Sequence, residues 1–73
     1  MPLVFDFSEL RGRIIAGFGS YANFADAIGM GRALLSARLN NKVHFNPDDI
    51  INICRVLNIP AEKIGAYFFT PKV

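Results

Sequence analysis

A chain of 73 residues with 52% hydrophobic content and seven Phe accommodates one small domain, residues 1–73, with a dense core. Its single cysteine, Cys54, excludes an internal disulfide, and no apolar run approaches the roughly 18 residues of a membrane span. Net charge is only +2, but residues 11–42 set Arg11, Arg13, Arg32, Arg38 and Lys42 against Asp26 alone, which favours an anionic partner for that half.

The opening "MPLVFDFSEL" has no basic start and no small-residue cleavage site, so no signal peptide and a cytoplasmic location are expected. Ser8 is placed as the N-cap of a first helix, "SELRGRIIAGF", with Leu10, Ile14 and Phe18 along one face. "FGS" stops it, and Ser20 caps a second helix, "YANFADAI", whose apolar stripe is Phe24, Ala25 and Ile28. Gly29 ends that helix, and a third follows over about 32–39, leaving at Asn40-Asn41. "VHFNPDDI" is the clearest start signal: Asn46 caps, Pro47 takes the first helical position, and Asp48 and Asp49 suit the helix dipole. This fourth helix, about 47–57, is expected to bury Ile50, Ile51, Cys54 and Leu57. Pro60 starts a fifth, "PAEKIGAYF", with Ala61, Ile64 and Phe68 inward; a minor alternative makes "LVFDF" and "AYFFTPKV" short paired strands. The expected fold class is all-α, five short helices.

A short helix, a glycine turn and a second short helix form the geometry of a helix-turn-helix, here about residues 20–40. Ala25 is small where two helices cross closely, and Gly29 accepts the positive φ of a sharp turn. Met30 fills the space beneath the turn, while Leu35 and Leu39 anchor the second helix to the core. His44 has no cysteine or carboxylate cluster at ligand spacing, and "GFGSYANFA" lacks a phosphate-loop pattern, so neither metal nor cofactor is expected. Without a nucleophile–base pair, an enzyme is not expected either.

Nearly the whole chain, and above all "LRGRI", "NFADAIG", "LSARLNNKVHF" and "IINICRVLNIP", resembles the Cro-like, XRE-type helix-turn-helix regulators of temperate phages of Gram-positive bacteria. That resemblance implies a five-helix domain of the lambda-repressor type acting in the lysis–lysogeny switch. It implies two kinds of partner: operator double-stranded DNA, bound as a dimer, or the phage repressor protein, bound by relatives of the modulator-of-repression type. For the consecutive Tyr67, Phe68 and Phe69, which one helix face cannot bury together, it implies a homodimer contact.

The outward residues bear on that choice. With Leu35 at the centre of the buried face, Ala33, Ser36, Ala37 and Asn40 lie opposite, Arg32 on one flank, Leu34 and Arg38 on the other. Where such regulators often carry Ser or Thr after the turn, this chain has Gly31, followed by Arg32 and then the apolar Ala33 and Leu34. Direct readout needs donors and acceptors at base edges, and this face offers Arg32, Ser36 and Asn40. Arg11, Arg13, Ser20, Arg38 and Lys42 are the expected phosphate contacts. The same small apolar face centred on Ala33 and Ala37 also suits a protein partner. The function expected from the sequence is Cro-like binding of operator DNA through Arg32, Ser36 and Asn40, with docking on the phage repressor through the same face as the alternative.

Overall fold

Several helix ends fall where local chemistry satisfies the exposed backbone groups. A computed structural model describes residues 4–72 and contains α1 (Ser8–Phe18), α2 (Tyr21–Ile28), α3 (Arg32–Leu39), α4 (Pro47–Leu57), a 3-10 turn (Ala61–Lys63) and α5 (Ile64–Phe68). The fold is all-α with five short helices, as the periodicity predicts. No helix among the described residues is long and apolar enough to cross a membrane.

The start of α1 differs from expectation. Ser8 is its first helical residue, not its cap; the carboxylate of Asp6 accepts both the Ser8 backbone N–H (2.9 Å) and the Ser8 hydroxyl (2.5 Å). An ionised carboxylate beside a helix N-terminus is the stronger acceptor, so it replaces the hydroxyl in that role. The other caps follow the sequence. Ser20 Oγ accepts from the Asn23 N–H at 3.1 Å, and Asn46 Oδ1 from the Asp49 N–H at 2.8 Å. Gly29 takes φ +70°, which lets the Met30 N–H return to the Ala25 carbonyl at 2.9 Å and close α2 in a Schellman-type turn.

Phe24, Phe68, Leu10, Ile14, Leu35 and Ile53 are fully buried and form the centre of the core. On α4 the buried stripe is Ile50, Ile53, Cys54 and Leu57, while Ile51 is 62% exposed, which corrects the expected set. Spacings of three, four and seven define one helix face; Ile51 lies about 100° from Ile50 and turns to solvent. The last helix is also split: residues 61–63 form a 3-10 turn and Ala61 is exposed, whereas Ile64 is half-buried and Phe68 is core. Phe7, Phe45 and Phe68 meet edge to face, with centroids 5.4 Å apart in each pair, and tie the N-terminal segment to α5.

The minor strand alternative is reduced to one antiparallel bridge between Phe5 and Pro71, supported by Asp6 N–H to Thr70 carbonyl and Lys72 N–H to Val4 carbonyl, each 2.8 Å. Leu3, part of the "LVFDF" stretch, lies outside the described residues.

Candidate functional site

α2 and α3 pack on one another, and Ala25, Met30, Leu35 and Leu39 are all buried in the shared core. Asn52 of α4 donates to the Ile28 carbonyl at 3.2 Å and fastens the end of α2 to the body of the domain. This support holds the outer face of α3 at the surface. Arg32, Ala33, Leu34, Ser36 and Asn40 are exposed there and Ala37 is half-buried, so the six residues form one continuous strip. Leu34 is an exposed large apolar side chain within that strip.

The arginines near this strip are engaged in different ways. Arg32 pairs with Asp26 of α2 at 3.0 Å, with both side chains more than 60% exposed. Such a pair contributes little stability but cancels the charge at the start of α3. Arg38 is a correction to the sequence reading: expected on the flank for a phosphate, it is only 8% exposed and forms an ion pair with Asp49 of α4. Its guanidinium also lies 5.9 Å from the centroid of the Phe45 ring, and its Nε is buried without a partner. Arg38 lies at the inner edge of that flank, where its long stem is drawn over Phe45 to reach the carboxylate of α4, while Leu34 stays exposed.

Arg13, expected at a phosphate, is engaged within the fold. It donates to the Leu57 carbonyl and, at 3.3 Å, to the Tyr67 hydroxyl. It therefore closes the C-terminus of α4 against α5, where cationic donors are favoured. Ser20 spends its hydroxyl oxygen on the N-terminus of α2 and remains half-buried, and Lys42 is exposed just past α3.

Arg11 reaches the end of α3. Its Nη2 donates to the Leu39 carbonyl and to Asn40 Oδ1, each at 3.1 Å, and its guanidinium lies 5.5 Å from the centroid of the exposed Tyr21 ring. Asn40 Nδ2 in turn donates to Ser36 Oγ at 3.3 Å. Arg11, Tyr21, Ser36 and Asn40 thus join α1, α2 and α3 at one corner of the strip.

Asn41, absent from the sequence-derived set, organises the same end. At φ +63° its side-chain amide pairs with both backbone groups of Phe5, accepting at 2.8 Å and donating at 2.9 Å. The Asn-Asn exit signals a left-handed residue, but the partner 36 positions away carries no local signature. Asp49 as the partner of Arg38 was equally invisible, because first-turn acids are already explained by the helix dipole.

Among the described residues no group of three or more His, Cys, Asp or Glu could hold a metal ion. The strip offers shape, apolar contact and a few hydrogen-bonding groups, which is the chemistry of docking.

No curated protein sequence matches the chain. It is similar to a solved structure, the solution structure of the modulator of repression of the temperate bacteriophage TP901-1 from Lactococcus lactis. The two are 37% identical, the match covers 89% of this chain and 88% of that one, and the TM-score is 0.80. A family model described as "Protein of unknown function (DUF739)" matches residues 3–71, and the chain belongs to that family.

Proposed function

We propose that this chain is a phage-type regulator that acts by docking on a repressor protein through the outer face of α3, a binding protein without catalytic activity working in the host cytoplasm. The observation that carries this reading is the character of the strip. Its centre is Ala33 and Ala37, flanked by the exposed Leu34, while Arg38 is buried on Asp49 and Arg32 is neutralised by Asp26. An uncharged apolar centre with charge displaced to the rim is the pattern of a protein–protein contact. The similarity to a modulator of repression supports the same conclusion. Repressor bound to this face is prevented from occupying its operator.

A second reading is Cro-like binding of operator DNA by the same helix-turn-helix. It is favoured by the arrangement of α2 and α3, with Arg11 and Lys42 at one end of an exposed α3. Base readout would fall to Ser36, Asn40 and Arg32, and phosphate contact to Arg11, Lys42 and the amides of α2 around Ser20. A homodimer contact through the C-terminal aromatic segment would fall to Phe69, 49% exposed beside Phe5, because Phe68 is core and Tyr67 is held by Arg13.

A gel-shift on the switch region of the carrying phage, with and without its repressor, separates the readings. Docking on repressor predicts no shift by this chain alone at low salt and a changed repressor shift when it is added. A shift by this chain alone, lost in Asn40→Ala and insensitive to repressor, establishes the DNA reading instead.

A further inference from the structure

The last turn of α3 has its own carbonyls paired. A helix end ordinarily presents unpaired carbonyls and a partial negative charge. Here the last four carbonyls are all taken: Ser36 by the Asn40 N–H, Ala37 by the Lys42 N–H, Arg38 by the Asn41 N–H and Leu39 by Arg11. The side chains follow the same rule. Asn40 Oδ1 is occupied by Arg11, and that contact fixes the amide orientation, since the flipped amide would set two donors face to face. Asn41 Oδ1 is occupied by the Phe5 N–H.

What remains is almost entirely donors. Asn40 Nδ2 has a second hydrogen, the Ser36 hydroxyl hydrogen is directed to no protein atom, and Arg11 uses only one of its three guanidinium nitrogens. Lys42 and Lys72 stand nearby with no ion-pair partner within 4 Å among the described residues. The carboxylate of Asp6 shares the cleft with Arg11, Asn40 and Lys72, but its Oδ1 is spent on Ser8.

We infer that this corner of the docking face, formed by Arg11, Ser36 and Asn40, receives an aspartate or glutamate side chain of the partner protein. The inference rests on the protein-docking reading of α3 and adds the chemistry at one end of it. A single carboxylate matches the convergent donors. A duplex backbone matches them less well, because its phosphates come in an extended row and the opposite end of the strip, where Arg32 is already matched by Asp26, offers no free cation among the described residues to meet the next ones. The strip is therefore polarised: a neutral ion pair at the start of α3, an apolar centre, and a donor-rich, net cationic corner at its end.

The test measures the affinity of the full chain for the purified repressor of its phage and for a duplex carrying the switch region. Asn40→Asp is the decisive variant: it keeps an acceptor for Arg11, so the fold is preserved, but it sets a negative charge at the corner. Repressor affinity is expected to fall at least about tenfold in Asn40→Asp. It is also expected to fall in Arg11→Gln, whose amide still reaches towards Leu39, with a weaker salt dependence than the parent. Ala33→Glu, at the apolar centre, tests the underlying reading by itself. If Ala33→Glu abolishes binding and Asn40→Asp binds repressor like the parent, the carboxylate corner is wrong and the docking face stands. If Ala33→Glu binds normally, the docking face is wrong. Repressor-independent duplex binding that is lost in Asn40→Asp assigns the corner to phosphate and overturns the inference.

Discussion

Arg38 of α3 and Asp49 of α4 are joined in an ion pair that is largely removed from solvent, with Phe45 covering the guanidinium. The pair sets the position of α3 against α4, and it diverts a charge that the sequence assigns to the surface. A buried charge is costly once its partner is lost. Asp49→Asn is expected to destabilise the fold by about 2–3 kcal/mol, below the range for a fully buried pair because Asp49 is partly exposed. Urea unfolding of the two proteins measures the difference. Asp49 is also the residue whose N–H meets the Asn46 cap, so Asn46→Ala, at about 1 kcal/mol, separates the cap from the pair.

Gly29 holds φ +70° in open space, with nothing within 4 Å of where a Cβ would stand. Gly29→Ala therefore meets backbone strain and no clash. A loss of about 1–2 kcal/mol is expected. In a domain of this size each kcal/mol lowers the melting temperature by about 4–8 °C, which calorimetry or circular dichroism resolves.

Arg13 closes the end of α4 by donating to Leu57 and holds Tyr67 beneath its guanidinium, 5.9 Å from the ring centroid. Arg13→Met keeps the aliphatic stem and removes the donors. Stability is expected to fall by about 1–2 kcal/mol. Affinity for repressor or duplex, measured where the variant is folded, is expected to be unchanged. A weakened salt dependence of binding in this variant would return Arg13 to the phosphate-contacting set.

Asp6 is held below its ordinary carboxylate value of 3.8, first by the Ser8 hydroxyl and then by the Ser8 backbone N–H. A group whose folded pKa is depressed contributes stability above its unfolded pKa, and that contribution fades as pH falls through the folded value. The parent is therefore expected to lose stability below about pH 4 more steeply than Asp6→Asn. Equal acid limbs in denaturant titrations of the two proteins would remove Asp6 from the account of α1.

The sequence was most informative where a structural instruction is local. Ser20, Asn46-Pro47 and Gly29 each act on backbone groups within a few residues of themselves, so their roles follow from spacing. Periodicity also located the main apolar faces, with Leu10 and Ile14 on α1 and Ile50, Cys54 and Leu57 on α4. It failed at Ile51, where two adjacent isoleucines compete for one face and the choice depends on where the other helices lie. At the start of α1 it named Ser8, although Asp6, two residues earlier, carries the stronger acceptor.

The outer strip of α3 was legible as a list of residues but not as a chemical surface. By itself the sequence determined five short helices, the caps of α2 and α4 and a small, largely apolar helix face, since these depend on local hydrogen bonding and a period of 3.6. Only the tertiary structure decided which charges that face keeps. Arg38 is withdrawn to Asp49, Arg13 to Leu57, Arg32 is matched by Asp26, and Arg11 is brought from α1 to the far end of α3. A long cationic side chain reaches whichever acceptor the packing of helices brings near it, and that acceptor is usually distant in the chain.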